Sequence, residues 1–126
     1  MNRKHESLVN DMLAALNADM ASRRRYAPLY ETLLNASKNS LTLSQAELQV
    51  FTEIPQAIIS QMLKRMIICG IVRIMPEKVN GLNQYTVVAY DKIDYERVRM
   101  ACQIFEMQAR TKTLRESFAQ RYDPLP

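Results

Sequence analysis

The chain has 126 residues, a formal net charge of +4 and a pI near 9.2, with 48% hydrophobic and 24% charged residues. That length supports one domain with a core of its own and short arms, and the mild basicity permits a phosphate-rich partner without demanding one. Two glycines exclude a glycine-rich phosphate loop, and a single histidine, His5, among scattered carboxylates offers no paired acid and base, so catalysis is not expected.

No stretch is apolar for long enough to read as a signal peptide or a membrane span. Cys69 and Cys102 share no metal-ligand or redox spacing and are expected to be buried free thiols. The expected compartment is a reducing cytoplasm, with no metal and no cofactor.

In chain order, Met1 to Lys4 forms a basic end. Leu8, Val9, Met12, Leu13, Leu16 and Met20 then recur at helical spacing, which predicts a helix over about 5–20. A helix of that length is not stable alone, so its stripe must dock on the core or on a second subunit. The run Arg23-Arg24-Arg25 reads equally as a set of phosphate contacts or as a solvated junction between two helices. Pro28 is expected to open the next helix, with Leu29, Leu33 and Leu34 inward. Asn35 to Ser40 reads as a loop, and Leu41 to Leu43 as a short strand.

The stretch from Leu41 to Met75 is the most informative. Ser44 followed by Glu47 fits a capping box, and Leu48 and Phe51 are expected on the inner face of the helix that follows. Pro55 suits the first turn of a second helix, where Ile59, Met62, Leu63 and Met66 make an apolar stripe. Gly70 is placed as a left-handed stop, and Ile71 to Met75 alternates at strand period. Asn80-Gly81 is hairpin-turn chemistry, and Gln84 to Tyr90 is the returning strand.

From Asp91 to about Tyr122 a long helix is expected. Met100, Ile104, Met107, Thr111, Leu114 and Phe118 alternate in steps of four and three, a heptad seam, while Val98, Ala101 and Phe105 form an adjacent stripe. One stripe can pack on the domain, and the seam is left for a partner, most simply a second copy through Met100, Ile104, Met107, Leu114 and Phe118. Asp123 to Pro126 ends the helix.

Glu47-Leu48, Phe51, Ile54, Ile59-Ser60, Leu63, Met66 and Gly70-Ile71-Val72 resemble the helix-turn-helix and wing-entry pattern of winged-helix transcriptional regulators such as the MarR and PadR groups. The resemblance covers about a quarter of the chain and departs at Glu53, where the turn often carries glycine. It implies a mainly α fold with a small β-hairpin: a winged helix-turn-helix core over 22–91, an N-terminal helical extension over 1–21 and a C-terminal dimerisation helix and tail over 92–126. It also implies a transcriptional regulator, most simply a repressor, that binds double-stranded DNA as a homodimer. Plasmid- or phage-type replication and partition factors, and winged helices used as protein-interaction modules, are the alternatives. The latter would be marked by Ile67 or Ile68 exposed as an anchor.

With the apolar stripe inward, helical geometry turns Gln56, Ala57, Ser60, Gln61 and Lys64 outward, with Arg65 near the edge. Gln can pair bidentately with adenine, Lys can donate to guanine, Ser serves a base or a phosphate, and Ala touches a thymine methyl. Arg73 and Lys78 on the hairpin, and Thr42 and Ser44 at a helix start, are candidate phosphate contacts. The sequence shows no pocket for a small effector.

Overall fold

The computed structural model describes the backbone of residues 20–122 and the side chains of residues 26–117. Four helices and one two-stranded antiparallel sheet occupy this span: α1 (Met20–Lys38), α2 (Gln45–Thr52), α3 (Gln56–Cys69), β1 (Val72–Ile74), β2 (Tyr85–Val87) and α4 (Tyr95–Tyr122). A 3-10 turn at Tyr90–Lys92 precedes α4. The chain is mainly helical with a small hairpin, in line with the expected fold class. The expected helix over 5–20, Met20 apart, and the tail from Asp123 lie outside the described residues.

α1 departs from the sequence reading at both ends. Pro28 sits inside the helix, and Arg23 to Arg25 lie within it as well. The expected boundary between 21 and 22 therefore falls within one continuous helix. An interior proline costs about 3 kcal/mol. Burial of Tyr26, Leu29, Tyr30 and Leu33 outweighs it, because each large side chain taken out of water contributes about 1.5–3 kcal/mol. The helix also runs on to Lys38, through residues expected to form a loop, and Leu34 is only half-buried.

α2 begins as the capping box demands: the Ser44 hydroxyl accepts from the Glu47 amide at 3.2 Å, and the Glu47 carboxylate accepts from the Ser44 amide at 3.1 Å. Its inner line runs through Gln45, Leu48 and Thr52, not Leu48 and Phe51. Phe51 is 66% exposed, which corrects the expectation. At about 100° per residue, Thr52 and Gln45 fall closer to one side of Leu48 while Phe51 falls on the other. Glu53 closes α2 in the left-handed conformation, φ 61°, with its amide donating to the Gln49 carbonyl.

α3 buries Ile59, Met62, Leu63, Met66 and Cys69 and stops at Gly70, φ 81°. The hairpin that follows pairs Val72 with Val87, Arg73 with Thr86 and Ile74 with Tyr85. Its tip folds back through Asn80, φ 52°, and Gly81, φ 76°, with a bridge between Val79 and Leu82. Two consecutive positive φ angles are what an Asn-Gly hairpin turn requires. The expected strand at Leu41 to Leu43 reduces to one bridge, in which Leu43 and Tyr85 exchange both backbone hydrogen bonds at 3.1 and 2.8 Å.

Asp94 caps the start of α4, its carboxylate accepting from the Glu96 and Arg97 amides at 3.1 and 3.2 Å. Val98 and Ala101 are buried and Phe105 is half-buried, so this stripe packs on the domain as expected. Met100, Ile104, Met107 and Leu114 are between 51% and 64% exposed. The Phe118 side chain lies outside the described residues.

Candidate nucleic-acid interface

The outward side of α3 carries Gln56, Ala57, Gln61 and Lys64, all exposed, with Ser60 half-buried between them. The helix contains no carboxylate, so no side chain of α3 itself repels an anionic partner. Rigidity comes from behind, because five buried side chains fix the rotation of α3, and the Pro55 carbonyl accepts from the Ile58 and Ile59 amides in its first turn. Ile68 ends the same side and is 53% exposed, while Ile67 packs partly on the core.

Arg65 departs from its expected role. Its guanidinium lies over the Phe105 ring of α4, 5.4 Å from the centroid. It also acts on the Tyr26 hydroxyl of α1: burial pushes that phenol up, and the Arg65 charge offsets part of the rise. Arg65 is thus a fastener among three helices, set at the rim of the candidate face.

Ser44 and Thr42 are corrected more strongly. Ser44 is 2% exposed, and its hydroxyl is occupied by the cap, so it cannot reach a phosphate. The Thr42 hydroxyl donates to the Gln84 side-chain oxygen at 2.9 Å. That bond, with Gln45 Nε2 donating to the Tyr85 hydroxyl at 3.0 Å, ties the start of α2 to the returning strand. Both residues belong to the joint between α2 and the hairpin.

The hairpin residues divide. Lys78 is exposed at the tip, beside exposed Val79 and Leu82. Arg73 is exposed on β1 and lines an open pocket of about 300 Å³ with Ile67, Val72, Ile74, Val88, Lys92 and Arg97. No hydrogen bond or ion pair links Arg73 or Lys78 to the α3 face among the described residues.

One structural residue left no sequence signal. Arg97 donates from Nε to the Ile68 carbonyl at 2.9 Å and from Nη2 to the Ile67 carbonyl at 3.1 Å, so α4 caps the end of α3. Gly70 makes room for it: a Cβ there would stand 3.2 Å from Arg97 Cδ. Cys69 is buried at the same joint as expected, whereas Cys102 is only half-buried. Burial pushes the Cys69 thiol up to about 12, with Cys102 adding to the rise.

Among the described residues no group of three or more His, Cys, Asp and Glu could hold a metal ion, and no helix is long and apolar enough to cross a membrane. No family model and no curated protein matches the chain.

Proposed function

We propose that the chain is a sequence-specific double-stranded DNA-binding protein of winged helix-turn-helix design, acting as a dimeric transcriptional repressor. The observation that carries this reading is the rigidly backed, carboxylate-free outer side of α3, where Gln56, Ala57, Ser60, Gln61 and Lys64 are gathered on the second of two short helices. Those side chains supply the donors, acceptors and apolar contact that major-groove base edges present. The hairpin plays the wing, with Lys78 and Arg73 reaching backbone phosphates at most. Two copies would set two such helices into successive major grooves of a palindromic site, with half-sites about one helical turn or its multiple apart.

Sequencing of DNA recovered with the tagged protein from cells identifies the site. On that site, Gln61→Ala and Lys64→Ala each weaken binding by about 1–3 kcal/mol while thermal melting is unchanged. Binding unaltered in both variants removes the base-reading role from this face. Bound sites clustered at promoters support a transcriptional role. Clusters of repeats at a replication origin or partition locus support the plasmid or phage alternative.

Exposure of Ile68 at the end of the same face favours a second reading, a protein-interaction module with Ile68 as its anchor. Ile68→Ser separates the two, because it abolishes capture of a protein partner but leaves specific DNA affinity within about threefold.

A further inference from the structure

Cys69 and Cys102, far apart in the sequence, meet where α3 crosses α4. Two contacts bracket the place. Arg65 lies over Phe105 on one side, and Arg97 reaches the Ile67 and Ile68 carbonyls on the other. Between those contacts position rises along α3 as it falls along α4. Cys69 therefore stands one turn beyond Arg65, and Cys102 about one turn before Phe105, at the same level of the joint. Cys69 is buried, while Cys102 is half-buried and packs against the core cluster that contains Cys69. Their chain neighbours Gly70 and Ala101 add almost no bulk that would hold the two backbones apart.

The two sulfurs are hydrogen-bonded, and their situations differ. Burial pushes the Cys69 thiol up to about 12, and its bond to Cys102 adds to the rise. Burial also raises Cys102, but the same bond offsets part of that, because the Cys69 S–H donates to the Cys102 sulfur. Cys102 is thus the sulfur that solvent reaches and whose thiolate has a donor beside it. Cys69 is its protonated, shielded neighbour. A thiolate is the nucleophile toward a peroxide, and a sulfenic acid in contact with a second thiol condenses to a disulfide.

We propose that Cys102 and Cys69 are a peroxide-oxidisable pair that closes a disulfide between α4 and α3 within one chain. The Cys102 thiolate attacks one oxygen of hydrogen peroxide, the O–O bond breaks and hydroxide leaves, which gives the sulfenic acid of Cys102. The Cys69 sulfur then attacks the Cys102 sulfur. The S–S bond forms, the S–O bond breaks, and the departing oxygen takes the Cys69 proton as water. In sum, two thiols and one hydrogen peroxide become one disulfide and two waters, the sulfurs being oxidised and the peroxide reduced. The closed loop contains the whole hairpin and ties the end of α3 to α4. None of this depends on DNA binding or on assembly.

Peroxide treatment of the reduced full-length protein, followed by peptide mass mapping without reductant, tests it. The expected product is a Cys69–Cys102 cross-linked peptide lighter by two hydrogens, with both free thiols lost to titration in denaturant and restored by dithiothreitol. Cys102→Ser should keep Cys69 as a thiol at the same dose. In Cys69→Ala the sulfenic acid of Cys102 should persist and take dimedone, with circular dichroism reporting whether each variant is folded. A wild-type chain whose Cys102 passes to sulfinic acid without a cross-link overturns the pair. So does a disulfide joining Cys102 of two chains, seen as a doubled mass on a non-reducing gel. Cysteines left unmodified at a dose that converts exposed Met100 and Met107 to sulfoxides overturn it as well.

Discussion

The Arg65 guanidinium carbon sits 5.4 Å from the centroid of the Phe105 ring, across the joint between α3 and α4. The candidate recognition helix and the candidate dimer helix therefore share a fastener, and any tilt of α4 is felt at the rim of the candidate face. A partly exposed cation over a phenylalanine contributes about 0.5–1 kcal/mol. Arg65→Ala should lower the unfolding free energy by about 1 kcal/mol in urea melts. Lys64→Ala, one residue away, should leave it within about 0.5 kcal/mol and weaken specific DNA binding instead. The opposite pattern would reassign both side chains.

Glu53 holds a left-handed conformation, φ 61°, between α2 and α3 without the freedom of a glycine. Left-handed backbone costs a residue with a Cβ about 1 kcal/mol. Glu53→Gly should raise stability by no more than about 0.5 kcal/mol, net of the greater entropy of the unfolded glycine. A loss of stability would show that the Glu53 side chain contributes more than its backbone strain costs.

Arg97 bonds two carbonyls at the end of α3, with its stem lying across Gly70. Arg97→Ala should cost about 1–2 kcal/mol, and Arg97→Lys should recover only part, because a single ammonium reproduces the two-point fork poorly. Gly70→Ala should cost about 1 kcal/mol or more, since it meets both the positive φ and the Arg97 side chain. Equal stability of all three variants in urea would remove this cap from the account of the fold.

Two buried groups make the fold sensitive to alkali. Burial pushes Cys69 from 9.0 up to about 12 and Tyr30 from 10.0 up to about 12. Above pH 9 the unfolded chain loses these protons before the folded chain does, so it binds fewer and stability falls as pH rises. Unfolding free energy should be level with respect to these groups up to about pH 9 and decline toward pH 12. Cys69→Ala should soften the slope that begins near pH 9. In the folded wild type at neutral pH, half-exposed Cys102 should take a thiol reagent well before Cys69. Equal labelling rates would place Cys69 within reach of solvent.

Much of the local structure could be read from residue order because its cause is local. The Ser44 and Glu47 cap, the stop at Gly70, the Asn80-Gly81 turn and the buried line from Ile59 to Met66 each depend on residues within a turn or two of one another. The two stripes of α4 follow from the same arithmetic, including which one faces the domain. The outward set of Gln56, Ala57, Gln61 and Lys64 was legible for the same reason.

What residue order could not supply are pairings between distant parts of the chain. Thr42 meets Gln84 across 42 positions, and that meeting turns a candidate phosphate contact into a strut. Arg65 turns to Phe105, and Arg97 reaches back to Ile67 and Ile68. Pro28 continues a helix that its own chemistry would break, because Tyr26, Leu29, Tyr30 and Leu33 are buried together. Sequence alone determined most of the helical and turn signals and the apolar faces, Phe51 and the end of α1 apart, since these depend on spacing and backbone preference. The tertiary structure alone decided which polar side chains are consumed inside the fold and which remain at the surface, because that depends on what each meets when distant elements pack.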